Sequence, residues 1–345
     1  MNPATAAPLP GPPRLSMLLI AYRQADTVAE AIAGALAQTG PPVEILISDD
    51  ASDDDGAAGG GTWAAILRAT AGYAGPHRLV LNRNPVNLGI GAHLSKLAAL
   101  SQGDLLLVTA GDDVSLPQRC EQTAAAWQAH GRQPDLIACA LQDIDTAGTA
   151  HGLLQPSDLS AYRTAADWAA RPPFVVGAGQ AWTRRLLDRF GPLPAGTVAE
   201  DLVMVFRAIV SGGAITLAQP LVRYRRGGLS SRRRALYAAD VRLRLARNAR
   251  HSLVELPCLL RDAERAGVLA QVGPVLRSRL AREQHVAAQL ADGPLGARLR
   301  RAIGDADVPA ALRFRVLIYA ALPGLLAPGF ALKRWLLRWR GRAVR

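Results

Sequence analysis

Cysteine is scarce in this chain of 345 residues: Cys120, Cys139 and Cys258 stand far apart, with no CxxC and no Cys/His ligand spacing. A disulfide scaffold and a zinc ribbon are therefore not expected, and the odd count fits a reducing compartment, so a cytoplasmic location is expected. Aromatic residues make up only 5%, yet half the chain is apolar and a fifth charged. That composition can build a core and excludes a disordered or collagen-like chain. The six histidines show no ligand spacing. Gly59-Gly60-Gly61 lacks the Lys-Ser/Thr of a phosphate loop. Gly89-Ile90-Gly91 lacks the third glycine of a dinucleotide fingerprint and does not follow the first strand. An unbroken membrane-spanning run is missing too. Val316 to Leu332 is uncharged but contains Pro323 and Pro328, and a straight span needs about 20 apolar residues. Residues 1–13 are rich in Pro and Ala and lack the basic start and apolar run of a secretory signal, so a loose, disordered tail is expected.

Acid is what the last third lacks. Residues 1–220 carry 14 Lys+Arg against 20 Asp+Glu, and residues 221–345 carry 26 against 8, so the net charge of +12 is gathered at one end. A basic tail on a mildly acidic body fits an anionic membrane surface at least as well as a nucleic acid, and no nucleic-acid partner is expected.

What is present begins with alternation. Leu15 to Ala21 is a short apolar run of strand length. Asp26 is placed to cap a helix from Thr27 to about Ala37, whose apolar positions share one face. Val43 to Ser48 is a second strand ending in Asp49-Asp50, followed by a Gly-rich loop and a helix from about Trp63 to Thr70. Arg78 to Asn82 is a third strand, His93 to Ser101 a helix, and Leu105 to Thr109 a strand ending in Ala110-Gly111-Asp112-Asp113. Such alternation predicts an α/β fold with a mostly parallel sheet flanked by helices, whose ligands bind outside the carboxyl ends of the strands. Both acidic pairs then reach one crevice. Carboxylates at strand ends commonly serve turns. Two of them projecting into a crevice also offer hard oxygen ligands for Mg²⁺ or Mn²⁺, which binds one or two carboxylates plus substrate phosphates.

An ordered series of motifs resembles the family 2 glycosyltransferases: Leu18 to Arg23, Ala37-Gln38-Thr39, Ile47 to Ser52, Asn84 to Gly89, Gly103-Asp104 and Gly111 to Arg119. Further on come Gly177 to Arg184, Gly191, and Glu200-Asp201 with Arg207 six residues later. The resemblance covers roughly residues 15–231. It implies a GT-A fold and non-processive transfer of one sugar from a UDP-, dTDP- or GDP-linked donor to a saccharide or lipid-linked acceptor, with inversion. It assigns Ala21, Tyr22, Asn87 and Gly89 to the nucleotide side and Asp50 to the base. Asp112 falls near the ribose and Asp113 on the metal; Asp201, with Glu200 beside it, matches the general base. Trp182 and Arg184 are candidates for the acceptor side, Trp182 being equally placed to anchor the core. Two departures stand out. Arg226-Gly227 occupies the place of a family histidine, and the Gln-x-x-Arg-Trp run of processive synthases is absent from Gln219 to Tyr224.

The implied organisation is a transferase domain over 14–231, with a nucleotide-sugar half to about 120 and an acceptor half beyond. An Arg-rich helical region covers 232–345: a helix from Ala235 to about Arg265, then helices broken at Gly273-Pro274 and Gly293-Pro294. Residues 316–345, with Leu332, Trp335, Leu336 and Trp339 on one side of a basic helix, read equally as a segment at the inner face of a membrane and as a core-packing helix. A role in cell-surface polysaccharide or glycolipid assembly follows as an expectation. Two alternatives are weighed against it. One is a nucleotidyltransferase, which would need a Gly-rich basic loop where Tyr22-Arg23-Gln24 stands. The other is a non-catalytic membrane- or polyanion-binding protein, which rests on the basic tail alone.

Overall fold

The computed structural model describes residues 11–56, 59–226 and 236–342. Most of the expected N-terminal tail, and the expected domain boundary at 231, lie outside the described residues. So does Gly227.

Strand β1 (Leu15–Ala21) is apolar on both faces and almost wholly buried, as a central parallel strand between helical layers must be. Helix α1 (Val28–Leu36), strand β2 (Glu44–Asp49), helix α2 (Gly61–Thr70), strand β3 (Arg78–Arg83), helix α3 (Ile90–Leu100) and strand β4 (Leu105–Ala110) follow in the expected alternation. The rest of this part comprises β5 (Val114–Ser115), α4 (Arg119–Ala129), β6 (Leu136–Ile144), β7 (Ala150–Leu154), α5 (Ala165–Ala170), β8 (Gln180–Thr183), α6 (Arg184–Phe190), α7 (Glu200–Ile209) and β9 (Ala214–Arg225). Among the described residues these strands form one nine-stranded sheet in the order β3-β2-β1-β4-β8-β6-β9-β5, with β7 on β6. Strands β3, β2, β1 and β4 are mutually parallel. From β8 onward the sheet is mixed, since β8 runs antiparallel to both β4 and β6 while β9 runs parallel to β6.

The core lies between the parallel strands and their helices. Met17, Leu19, Ile45, Ile47 and Leu107 pack against Val28, Ile32, Ile66 and Trp127. The register sets Ala21 beside Asp49 and Ile20 beside Ala110, so the ends of β2 and β4 flank the end of β1. With neighbouring strands about 4.8 Å apart, the two acidic pairs emerge roughly 10 Å from each other. Asp26 does not cap α1. Thr27 precedes the first helical residue, with no side-chain cap bond. Its hydroxyl instead donates to the Gly111 carbonyl at 2.8 Å, tying the helix start to the second acidic turn.

The chain divides into two compact units, one of residues 1–231 with Asp262–Gln271 and one of 232–261 with 272–345. The second is helical: α8 (Ala238–Arg265), α9 (Leu269–Leu290), α10 (Leu295–Gly304), α11 (Ala310–Ala321) and α12 (Ala327–Arg342), with α8 ending inside the first unit's residues. Its small core joins Ala249, Val286, Leu290, Val316 and Ala320. The expected break at Gly273-Pro274 does not occur. Gly267, at φ 73°, makes the turn instead, and Pro274 sits in the second turn of α9, where it forfeits one helical hydrogen bond. The break at Gly293-Pro294 is present.

Within the first unit, Arg207 is 1% exposed and its Nε donates to Asp262 at 2.7 Å, while Nη1 donates to the Gly191 carbonyl at 2.8 Å. Removing one partner of a buried ion pair typically costs about 3 kcal/mol. Asp262→Asn is accordingly expected to lower unfolding free energy by about that amount, measured by urea titration. An unchanged midpoint would deny the pair a structural role.

Candidate active site

Each acidic pair is built by the turn behind it. Asp49 is fully buried and accepts from Ser52 and from Arg83 Nε at 3.1 Å. Asp50 is 3% exposed, and its backbone N–H donates to the Ala21 carbonyl at 2.9 Å. Its Oδ1 accepts from Asn84 Nδ2 at 2.7 Å and Leu88 N at 2.9 Å, and its Oδ2 from Gly89 N at 2.9 Å. Asn87 donates to the Asp50 carbonyl at 3.3 Å. Asp50 therefore organises the loop that carries Asn87 and Gly89, and one Oδ2 lone pair remains for a further donor. Ala21 is buried and Tyr22, just past the end of β1, is 40% exposed. Arg23 and Ala51, just past the ends of β1 and β2, have φ of 52° and 56°. Non-glycine residues seldom adopt such values, and functional sites are where they gather.

The second pair follows a glycine packed against the side chains of Gln24 and Ala21. A Cβ on Gly111 would lie 2.6 Å from Gln24 Oε1 and 3.0 Å from Ala21 Cβ, so any larger residue would have to displace the Gln24 side chain. Asp112 is half-buried and Asp113 only 2% exposed. Asp113 Oδ1 accepts from Arg225 N at 2.8 Å. Burial, and then the neighbouring charge of Asp112, push the Asp113 carboxyl well above the usual carboxylate range, against the pull of Arg225 and Arg119. Burial likewise raises Asp112, opposed by its own backbone, Gln24 and Arg225. Asp113 is thus held dry beside a second carboxylate, with Arg225 and Arg119 only partly offsetting the cost of its charge. Among the described residues no three His, Cys, Asp or Glu side chains come together as a metal site.

Arg225 is 6% exposed and holds this turn in place. Its Nε donates to the Asp112 carbonyl at 3.0 Å, its Nη1 to the carbonyls of Asp145 and Thr146 at 3.1 and 2.9 Å, and its Nη2 to Glu30. The neighbouring Arg226 pairs with Asp143, so the arginine standing in place of the family histidine is engaged by a carboxylate of β6.

Across the sheet, Glu200 and Asp201 open α7, where the helix dipole favours carboxylates. Glu200 is 9% exposed and Asp201 half-buried. A Cβ on Gly177 would lie 2.4 Å from Glu200 Oε1, so the bare backbone at 177 makes room for that carboxylate. Asp201 Oδ1 accepts from Leu202 N at 2.8 Å, and the Asp201 carbonyl accepts from Gln180 Nε2 at 3.3 Å. Buried polar groups link β4 to the start of α7. Arg119, 1% exposed, donates to the Val108 carbonyl at 2.8 Å and to the Gln180 carbonyl at 3.3 Å.

Two acceptor candidates are corrected. Trp182 is fully buried in β8, its Nε1 donating to Gln180 Oε1 at 2.7 Å. It steadies the glutamine behind Asp201, and no part of it reaches the surface. Arg184 donates to the carbonyls of Gly103, Ala98 and Ser101 at 2.9, 3.1 and 2.8 Å. That places it at the amino end of β4, opposite the crevice.

Sequence reading missed Arg119, Arg225 and His93. Arg119 lay inside a quoted motif without a role. His93 is 2% exposed, with Nε2 2.6 Å from Ser48 Oγ and Nδ1 3.9 Å from Asp50 Oδ1. Burial lowers its pKa from 6.5 to about 4, with Asp50 raising it and Lys96 lowering it. The folded state holds the ring neutral. The unfolded chain takes up its proton first as pH falls below 6.5, so stability present above that value is lost down to about 4. His93→Gln should remove about 2 kcal/mol of the wild-type loss between pH 7 and 4.5. Urea titrations across that window measure it, and parallel pH profiles for the two proteins would refute it.

Residues 16–187 match the family described as Glycosyl transferase family 2. EpsE of Bacillus subtilis strain 168, a protein named as a glycosyltransferase, is 28% identical over 145 residues, which are 42% of this chain and 49% of EpsE. The match thus spans about half the length of that relative. Among solved structures, S. aureus TarS 1-349 aligns with a TM-score of 0.52 at 13% identity, covering 89% of this chain and 87% of that one. The mannosyltransferase PcManGT from Pyrobaculum calidifontis, in complex with GDP-Man and Mn²⁺, aligns with a TM-score of 0.51 at 18% identity, covering 94% and 90%. At such identities the likeness concerns the fold, which is of GT-A type. Through residues 16–187 the chain belongs to glycosyl transferase family 2.

Proposed function

We propose that this glycosyltransferase moves a single sugar from a nucleotide-sugar to an acceptor hydroxyl with inversion at the anomeric carbon. The observation that carries the reading is the pairing of two environments. A carboxylate pair, Asp113 buried and Asp112 half-buried, ends β4. A second acidic pair opens α7, its backbone held by Gln180, whose carbonyl accepts from the same Arg119 that bonds β4 at Val108. Ala21 and Tyr22 line the nucleotide, and the spare lone pair of Asp50 accepts an N–H of the base. Asn87 and Gly89 keep that carboxylate aimed.

Asp112 and Asp113 suit Mg²⁺ or Mn²⁺. A hard cation needs only one or two protein carboxylates beside substrate phosphates, and their mutual repulsion is what such an ion relieves. When bound, the cation neutralises the charge of a departing nucleoside diphosphate. The mannosyltransferase of similar fold holds GDP-Man and Mn²⁺, which supports the assignment. Asp201 takes the proton from the acceptor hydroxyl, and Glu200 beside it keeps the helix start negatively charged. In-line attack from that side inverts the anomeric centre.

A screen of UDP-, dTDP- and GDP-sugars for Mn²⁺-dependent thermal stabilisation, followed by donor hydrolysis, tests the reading. One class should raise the melting temperature in a saturable, metal-dependent way. If no nucleoside diphosphate binds, the proposal fails.

A further inference from the structure

Beyond α11 the helical unit stops burying its apolar side chains. Val316, Leu317 and Ala320 of α11 are buried, and Val316 and Ala320 pack with Ala249, Val286 and Leu290. Past that point Leu322, Leu325, Leu332, Trp335, Leu336 and Trp339 are all exposed, with Leu325 at 69%, Trp335 at 60% and Trp339 at 62%. No described side chain from Leu322 to Trp339 is buried. Leu332, Trp335, Leu336 and Trp339 follow i, i+3, i+4, i+7 spacing and so share one face of α12. A contiguous apolar face of this kind marks a contact surface.

Charge selects what covers it. From residue 330 to 345 the sequence holds Lys333, Arg334, Arg338, Arg340, Arg342 and Arg345 and no acid. A second copy of the same segment would bring like charges together. An anionic lipid surface accepts both the apolar face and the cations, and tryptophan is at home at that depth. Among the described residues no single helix is long and apolar enough to cross a membrane. The pair Ala310–Ala321 and Pro323–Lys333 passes on composition but is bent by 104°. The inner face of α11 is already committed to the helical core, so the bent pair is not free to enter a bilayer. We infer that the segment from Leu322 through α12 lies flat on an anionic membrane surface and holds the enzyme there. This goes beyond the transferase reading and stands or falls separately.

Flotation of the full chain with vesicles tests it, comparing phosphatidylcholine alone with phosphatidylcholine containing about one-third phosphatidylglycerol. Each cation near such a surface contributes about fivefold to binding. Binding to the anionic vesicles should therefore exceed binding to the neutral ones by more than about tenfold and weaken in high salt. Trp335→Ala with Trp339→Ala should lower binding by about tenfold or more, with the melting temperature and lipid-free donor hydrolysis unchanged. The inference is overturned if the wild type ignores anionic vesicles or if the double variant binds them equally well. It is overturned too if the double variant melts several degrees lower, which would make the helix part of a core. A wild-type dimer that the substitutions dissociate, with vesicle binding unaltered, would give the face to a second copy instead.

Discussion

Asp113→Asn should abolish metal-dependent transfer, by about a thousandfold or more, in a chain that folds at least as well as the wild type. The substitution keeps shape and removes charge from a site only 2% exposed. Stability should respond in the opposite sense to activity. A carboxyl whose folded pKa is raised binds its proton more tightly in the folded state, so its contribution is lost as pH rises from about 4 through the raised value. In chelator at neutral pH, the asparagine variant should therefore melt no lower than the wild type, with any advantage fading toward pH 4. Mn²⁺ should reverse the order, because it binds only the folded wild type. At a hundred times its dissociation constant a ligand adds about 2.7 kcal/mol. Calorimetry of both proteins with chelator and with Mn²⁺ reads all of this. Full turnover in the variant, or an equal Mn²⁺ shift in both proteins, would remove Asp113 from the metal.

The parallel half of the sheet was legible because each strand is a short apolar run that stops at a polar or acidic turn. The expected strands Leu15 to Ala21 and Leu105 to Thr109 coincide with the observed ones to within a residue. The mixed half was harder to read. Strand β9 contains Gln219 and Pro220, residues that argue against a strand. It tolerates the proline because its register against β6 shifts on either side of Ala140, the partner of Pro220, where the ladder is already irregular. The acidic pairs were legible as motifs, but their supports were not. Arg225 reaches Asp113 across 112 residues and Glu30 across 195, and no local pattern announces such a contact. Arg184 erred for the same reason, since its partners are carbonyls of Ala98, Ser101 and Gly103 more than eighty positions away. Trp182 bonds Gln180 only two positions away, and its burial comes from where β8 sits in the sheet. An exposed and a buried tryptophan read alike in sequence until the strand pairing β4–β8–β6 is known.

Asp201→Asn should separate rate from binding. Its carboxylate sits at the start of α7, with one oxygen accepting from Leu202 N and its carbonyl held by Gln180. Asparagine can keep both contacts, since its own side-chain oxygen still accepts and the backbone is untouched. Helix position and donor site should then survive. What is lost is the ability to take a proton. A positioned general base typically supplies 10²–10⁴-fold, so turnover should fall by about that factor. The donor-side KM and Mn²⁺-dependent nucleotide binding should stay near wild-type values. The pH–rate profile supplies the independent check, because the acidic limb that reports the base should disappear in the variant. Glu200→Gln serves as the control for mere proximity. Its carboxylate packs over Gly177, so this change should disturb rate less than Asp201→Asn and leave that limb in place. Donor affinity falling in step with rate in Asp201→Asn would make Asp201 a binding residue. Loss of the limb in Glu200→Gln alone would move the base by one residue.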